Sequence, residues 1–159
     1  MADCRYPRTE EEVCLDIEYS RRLHELHCKL FRRLRWLAVL VSLAAGASAV
    51  TDLVRMVPGG VLLAAGIVTF MTIVDAISHW EERAAQHNLW RRQFARLAAQ
   101  AEGMSYEDLQ RAYKTLDAEV DDVLRILETI AYNDVERANE LTHMVRPESI
   151  TQRALRLLL

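Results

Sequence analysis

The sequence has few of the residues that interrupt a helix. Its 159 residues include only 5 glycines and 3 prolines, and aromatic residues make up 7% of the chain. Leucine, alanine, arginine and glutamate are abundant, and all four favour helices. The scarcity of helix-breaking residues leaves few points at which a helix must stop. We therefore predict an all-α protein built from long helices.

Cysteine is also scarce, and recognisable catalytic or cofactor-binding motifs are lacking. Cys4, Cys14 and Cys28 form an odd set without zinc-type spacing, and we interpret them as free thiols in a reducing compartment. The net charge of −3 gives no general signal for nucleic acid. The chain has no Gly-rich phosphate loop, nucleophile elbow or His-Glu-x-x-His pattern. We therefore expect no enzymatic activity, no cofactor and no nucleic-acid partner.

One short segment resembles a metal-ligand cluster. His24, His27 and Cys28 can share one face of a helix, which makes a metal site geometrically possible. No fourth ligand is evident from the spacing, and His27 fits an apolar stripe equally well. The sequence therefore favours a structural role, and no metal is expected.

Hydrophobic residues make up 51% of the chain and are concentrated in two runs. A membrane span needs about 20 helical residues, with a working range of about 17–25. We predict spans at Trp36–Val54 and Val57–Ile77, joined by a tight turn at the breaker Pro58-Gly59-Gly60. The first span is long enough only if Asp52 lies near the far interface. The alternative is a soluble bundle with two buried central helices.

The distribution of basic residues orients this predicted two-helix transmembrane hairpin (residues 36–78). Lysine and arginine crowd the outer ends of both spans, whereas the turn carries only Arg55. By the positive-inside rule both termini are cytoplasmic. Trp36 and Trp80 mark the two cytoplasmic ends, where interfacial aromatic residues belong. The prediction is a multi-pass protein of the plasma membrane, with the lipid bilayer as its first partner.

Helical segments flank the hairpin. Residues 1–35 should form an amphipathic helix that begins at a capping box, Thr9 with Glu12. Residues 79–146 should form cytoplasmic helices, with a second capping box at Ser105 and Asp108. Residues 147–159 should form a short helical tail capped by Ser149.

A heptad seam runs through the cytoplasmic region, in a helix that could extend to about Val145. Its residues are Leu109, Tyr113, Leu116, Val120, Val123, Leu127 and Ile130. The seam could pack on the other apolar stripes of the same chain, giving a helical bundle, or form a coiled coil between subunits. The sequence favours the intramolecular arrangement but leaves both open.

Two pairs of charged residues near the span ends are candidate pore or gating residues. Asp75 and His79 lie one turn apart at the cytoplasmic end of the second span, and Asp52 and Arg55 lie at the turn. An aspartate within a span is costly, which makes it a candidate functional residue. The simpler alternative is that Asp75 pairs with His79 or reaches the lipid headgroups, and that Asp52 and Arg55 form an interfacial ion pair.

The first span is rich in small residues, which permit close approach of helices. Two small-x-x-x-small pairs stand out, Ser42 with Gly46 and Ala45 with Ala49. Small side chains lie on nearly every side of this helix, more than one neighbour needs. We therefore expect a homo-oligomer.

The order of these segments resembles the SLATT-type proteins, a two-span effector family of bacterial nucleotide-signalling defence systems. The resemblance covers about residues 10–145: a basic amphipathic helix, a hairpin with a short turn, and the long helix His79-Trp80-Glu81-Glu82-Arg83-Ala84-Ala85-Gln86-His87, followed by Leu127-Glu128-Thr129-Ile130. It implies a bacterial inner-membrane protein that forms pores or disrupts the membrane during abortive infection. The chain has no room for a fused nucleotide sensor, so the trigger would be a cytoplasmic protein or a nucleotide that binds the helices directly.

Two functions therefore remain. The first is an oligomeric membrane effector gated by its cytoplasmic helices. The second is a non-conducting membrane scaffold that binds a cytoplasmic partner through the heptad helix. The arginines of Arg91–Arg96 could hold a nucleotide or an anionic lipid, although juxtamembrane positive charge also explains them.

Overall fold

The computed structural model describes residues 9–50, 59–120 and 123–159, with the side chains of 48–50 excepted. The helices in these ranges are α1 (Glu10–Val50), α2 (Gly60–Ser78), α3 (Trp80–Gln100), α4 (Tyr106–Ala118), α5 (Arg125–Ala138) and α6 (Ile150–Leu158). Two 3₁₀ turns, Ala101–Gly103 and Thr142–Met144, complete the regular structure. Since the described residues contain no strand, the predicted all-helical fold is confirmed for them. Asp52, Arg55 and Pro58 lie outside the described residues.

The chain divides into two compact units. The bundle unit consists of Met1–Cys28 and Gln86–Leu159, and the apolar unit consists of Lys29–Ala85. The predicted hairpin region, 36–78, falls inside the apolar unit. The two unit boundaries, after Cys28 and after Ala85, differ from the predicted segment boundaries after residues 35 and 78. Both unit boundaries lie within a helix, the first in α1 and the second in α3.

Helix starts follow the capping signals in the sequence. At α1 the Thr9 N–H donates to Glu12 Oε2 (3.0 Å) and the Glu12 N–H donates to Thr9 Oγ1 (3.3 Å), so the predicted capping box is confirmed. At α4 the Ser105 side chain accepts the Asp108 N–H. At α6 Ser149 and Gln152 form a reciprocal box. Short-range hydrogen bonds of this kind depend only on residues three apart, which is why they could be predicted.

Apolar side chains from three helices form the core of the bundle unit. Val13 and Ile17 of α1 pack with Phe94 and Leu97 of α3 and with Leu109 of α4, and all five are buried. Each helix contributes one apolar stripe, and burial of each such side chain stabilises the fold by about 1.5–3 kcal/mol. The stripes predicted from the sequence therefore cover one another within one chain.

The heptad residues do not lie on one continuous helix, and only some of them contact this core. Leu109 belongs to it, and Tyr113, Leu116 and Val120 pack against it. Leu109, Leu127 and Ile130 are fully buried, and the remaining seam residues are half-buried. These half-buried residues are Tyr113, Leu116, Val120 and Val123. The expected single helix to about Val145 is wrong, because α4 ends at Ala118 and α5 begins only at Arg125.

The break between α4 and α5 has a physical cause. Asp117 and Glu119 place negative charge at the carboxyl end of α4, where the helix dipole is also negative. The Leu124 N–H, which in a continuous helix would donate to the main chain four residues earlier, donates instead to His27 Nε2 (2.8 Å). A tertiary hydrogen bond thus replaces the helical one.

Helix α5 ends in a left-handed turn that glycine usually makes. Glu140 has φ 61°, the Leu141 N–H donates to Glu136 O (2.8 Å), and the Glu140 N–H donates to Arg137 O (3.3 Å). These two bonds define a Schellman motif with glutamate in the position that glycine favours.

We expect Glu140→Gly to stabilise the protein. Glycine relieves about 1–2 kcal/mol of left-handed strain but loses more entropy on folding, so the net gain is about 0.5–1 kcal/mol. The measurement is urea unfolding of the detergent-purified protein followed by circular dichroism. Ala138→Gly, at the last right-handed position of α5, is the matched control and should destabilise by a similar amount. Equal loss of stability in both variants would contradict the described cap.

Candidate functional site

Helix α2 carries a continuous apolar surface. Within the described residues, the helical stretch Gly60–Gly103 contains a segment long and apolar enough to cross a membrane, and only 11% of that segment is buried. Leu62 is 80% exposed, and Ile77 is 72% exposed. A central helix of a soluble bundle would be mostly enclosed. So much apolar surface requires a covering phase or partner.

The apolar part of α1 is exposed as well. Trp36 is 67% exposed, and Leu37, Leu40 and Leu43 are also exposed. The described side chains of α1 stop at Ala47, before the end of the predicted first span. A second membrane-spanning helix is therefore not shown, and Trp36–Val54 stays a prediction.

The small residues of the apolar unit fall into two groups. Ala38, Ala45 and Ala64 are buried within the unit. In contrast, a Cβ added to Gly46 or Gly66 would meet no atom within 4 Å. Small residues on these helices therefore serve two surfaces, one packed inside the unit and one open.

Of the other predicted packing residues, Ser42 is half-buried, and the side chain of Ala49 lies outside the described residues. Of these predicted packing residues on α1, Gly46 is therefore the one that lies on the open surface. A helix can approach closely at such a position, because nothing projects from the glycine backbone.

A charged layer lies at the base of the apolar unit. Arg35 pairs with Glu81 (2.8 Å), which brings the start of the apolar part of α1 to the residues that follow α2. The Arg83 guanidinium lies 5.9 Å from the centre of the Phe31 ring. Trp36 and Trp80 are the sequence neighbours of the paired Arg35 and Glu81. The aromatic and charged residues expected at an interface therefore occupy one level of the unit.

The predicted residues Asp75 and His79 lie close to this charged layer, and the His79 side chain pairs with Glu82 rather than with Asp75. His79 Nδ1 lies 3.3 Å from Glu82 Oε2, whereas its link to Asp75 is a main-chain bond from the His79 N–H to Asp75 O (3.3 Å). Asp75 is half-buried and lines, with His79 and Arg35, a groove of about 340 Å³. The two predicted residues thus share a polar groove.

His79 also separates α2 from α3. Its φ of 48° and ψ of 38° are left-handed, and a non-glycine residue there stores about 1–3 kcal/mol of strain. Helix α2 therefore ends at Ser78, and α3 begins as a separate helix at Trp80. Such strained positions concentrate at functional and switching sites.

In the bundle unit the structure brings together three buried histidines. His24 and His27 lie on α1 and His87 lies on α3, with exposures of 1%, 0% and 3%. His24 Nδ1 is 2.9 Å from His87 Nδ1, and the His27 ring stacks on the His87 ring at 4.4 Å. Phe94 stacks on the His24 ring at 5.6 Å. The sequence suggested His24 and His27 but gave no sign of His87.

Hydrogen bonding sets the protonation of this cluster. His27 Nδ1 lies 2.8 Å from Leu23 O, which can only accept, and His27 Nε2 receives the Leu124 N–H, which can only donate. His27 is therefore neutral, with its proton on Nδ1. Between His24 and His87 one Nδ1 must donate and the other must accept, so both rings cannot be charged.

The surroundings of His24 also favour its neutral form. Burial first, and then the neighbouring His87 and His27, together lower its pKa to about 3. Among the described residues no group of three His, Cys, Asp or Glu side chains could hold a metal ion. The cluster acts instead as a neutral polar contact that joins α1, α3 and the α4–α5 break.

A second polar network holds the tail helix α6 against the bundle. Asp134 accepts from Arg22 (2.7 Å) and from Arg156 (2.7 Å), and Arg156 Nε also donates to Glu148 (3.1 Å). Hydrogen bonding to Arg156 holds the pKa of Glu148 below its usual value. Buried Asn133 donates to Arg146 O (2.9 Å) and accepts the Arg146 N–H (2.8 Å).

Sequence reasoning missed this network because Arg22 and Asp134 are 112 residues apart. The one available signal was Asn133, a polar residue between the seam positions and the end of their helix. A polar residue on a buried stripe usually has a hydrogen-bonded partner.

Comparison of the chain with protein-family models, with curated proteins and with solved structures gave no match. Within the described ranges 9–50, 59–120 and 123–159, the regular structure is all helical, and one helical stretch is long and apolar enough to cross a membrane.

We expect the bundle unit to lose stability below neutral pH. The pKa of His24 is lower in the folded protein than its ordinary value of 6.5, so the unfolded chain binds more protons between pH 6.5 and about 3. The stabilising effect of the neutral ring is present above pH 6.5 and is lost as the pH falls. This single residue should cost about 2 kcal/mol between pH 7.5 and pH 5.

Urea unfolding at the two pH values measures this loss. His24→Gln should weaken the pH dependence, whereas His143→Gln, at an exposed site, should leave it unchanged. The same pH dependence in both variants would show that His24 does not cause it.

Proposed function

We propose that this chain is an oligomeric membrane effector. In this proposal α2 and the apolar part of α1 are the two spans of a hairpin, both termini are cytoplasmic, and several copies assemble to form a pore or disrupt the membrane. The observation that carries the proposal is the open surface of the apolar unit, where large apolar side chains and uncovered glycines occur together.

In this proposal the large apolar side chains contact lipid, and the glycines contact a second copy of the chain. Leu43, Leu62 and Phe70 are more than 60% exposed, as expected for side chains that face acyl chains. Gly46 and Gly66 have open space where a neighbouring helix could pack closely. Because two helices cannot enclose a channel, conduction would require several hairpins around an axis.

The polar groove is a candidate for the inner mouth of such an assembly. Asp75, His79 and Arg35 line it at the charged base of the apolar unit. Repeated around an axis, Asp75 would give a ring of carboxylates, the arrangement that attracts cations in channels. The left-handed His79 offers a hinge at the same level.

The biological setting follows from the resemblance to SLATT-type proteins. We place the protein in the bacterial inner membrane and assign its activation to a nucleotide or a cytoplasmic protein. The alternative, a scaffold that docks a partner through the heptad helix, has less support, because Leu109, Leu127 and Ile130 are already buried in the chain's own core.

Gly46→Leu tests assembly. A Cβ at position 46 meets no atom within 4 Å, so we expect helicity and thermal stability to change little, while oligomer size and dye leakage from vesicles should fall sharply. The measurements are mass photometry in detergent and fluorescence release from liposomes.

Ala45→Leu is the neighbouring control. It is buried within the unit, so overpacking should cost about 1–3 kcal/mol of stability. If wild-type protein is monomeric in detergent and in membranes, or if Gly46→Leu leaks like wild type, the assembly proposed here does not exist.

Asp75→Asn tests whether the polar groove forms the inner mouth of a pore. We expect the preference for cations over anions to fall in planar-bilayer recordings, with oligomer size unchanged, because the ring loses charge but keeps its shape. Glu102→Gln, exposed in the bundle unit, should have no effect. An unchanged ion preference in Asp75→Asn would place the conducting path elsewhere.

A further inference from the structure

The bundle unit contains a cavity that the membrane proposal does not use. It has a volume of about 290 Å³ and lies between α1, α5 and the segment that follows α5. Its polar and charged lining consists of Asp16, Tyr19, Glu128, Thr129, Tyr132, Glu136 and Arg146. The volume is at the lower end of the range for small-molecule sites.

The charge of the lining selects the class of ligand. Three carboxylates (Asp16, Glu128 and Glu136) face one guanidinium (Arg146), so the formal charge is −3 plus 1, or −2. A phosphate or nucleotide would be repelled from such a cavity. A cation would be attracted.

Glu136 is the residue that points to a ligand. It is only 7% exposed, and within the part of the chain that the structure describes its Oε2 has no hydrogen-bond partner. Buried carboxylate oxygens almost always have a donor, because burying a charge without one is costly. Because Glu136 also lines the cavity, a rotation of its carboxylate would bring this oxygen to an ammonium group there, which would supply the donor.

The aromatic residues also suit a cation. The Arg146 guanidinium already lies 4.1 Å from the centre of the Tyr132 ring, so the face of this ring accepts positive charge. Tyr19 remains a neutral phenol, since burial and Glu128 raise its pKa to about 12. Arg146 is held there by its main chain, through Asn133, so its side chain can change without loss of that anchor.

The spacing of the carboxylates indicates the length of the ligand. Glu128 and Glu136 both lie on α5, eight residues apart, which corresponds to about 12 Å along the helix axis. One ammonium group cannot serve both residues. A linear chain with ammonium groups at its two ends can.

We propose that this cavity binds a linear aliphatic polyamine, with one terminal ammonium group on Glu136 and the other toward Glu128. The tyrosine rings cover the methylene chain between them. This site does not depend on the proposed membrane activity, because every residue named belongs to the bundle unit.

Calorimetric titration of the full-length protein in detergent with spermidine tests the proposal. We expect one site per chain and a loss of affinity of at least about tenfold in Glu136→Gln, which keeps the shape but removes the charge. Arg146→Gln should raise the affinity by about two- to fivefold, because it removes a competing cation. Glu107→Gln, an exposed residue of α4, is the matched control and should bind like wild type.

Three results would overturn the proposal. The first is no spermidine binding by wild-type protein whose helicity is intact. The second is an equal effect of Glu136→Gln and Glu107→Gln, which would indicate diffuse charge attraction. The third is binding of a blocked lysine amide as tightly as spermidine, which would assign the site to a single ammonium group such as a partner's side chain. None of these binding measurements uses vesicle leakage. The polyamine site and the membrane effector can therefore be refuted independently of each other.

Discussion

The two hydrogen bonds of the His27 ring hold the bundle unit in its present topology. One bond secures the ring to its own helix through Leu23 O, and the other accepts the Leu124 N–H at the start of α5. A main-chain amide at a break in a helix must find a partner or remain unsatisfied in the interior. Because His27 supplies that partner, the seam can fold as two helices, with Leu109 in α4 and Leu127 in α5 each buried.

Several other features follow from this break. It allows α5 to lie where Asp134 meets Arg22, and this pair in turn provides the acceptor for Arg156 on the tail helix. It also gives the face of α5 that bears Glu136 a position beside α1, where the acidic cavity forms. A neutral imidazole is required throughout, since a protonated ring could no longer accept the Leu124 N–H. The hydrogen bond between α1 and the start of α5 therefore requires an unprotonated His27 Nε2.

The apolar unit is governed by a different constraint, the surface that it does not bury. Ala45 and Ala64 pack inside the unit, while Leu62 and Gly46 remain open. In water such a surface would be costly, and in lipid the leucines would be solvated and the glycines would be places for helices to meet. The charged layer of Arg35 and Glu81 marks where this environment should end.

Much of the fold could be predicted because its signals are local. The capping box at Thr9 depends on a residue three positions away, and an apolar run such as α2 is recognised from its own composition. The candidate sites were harder to predict from the sequence. Asp75 and His79 line one groove, but His79 Nδ1 lies near Glu82 Oε2 rather than near the Asp75 carboxylate. Of the seven heptad residues three are buried, Leu109, Leu127 and Ile130, and the single helix expected to carry them is wrong.

By itself, the sequence determined an all-helical fold, several helix starts, the apolar stripes and the stretch that could enter a membrane, because these properties depend on neighbouring residues and hydropathy. Only the tertiary structure decided how the seam is interrupted, why His27 is neutral, and which carboxylates meet in the cavity. Those outcomes depend on contacts between residues far apart in the chain, such as His27 with Leu124 and Arg22 with Asp134. No local pattern specifies such partners, since their energies appear only once the helices have packed.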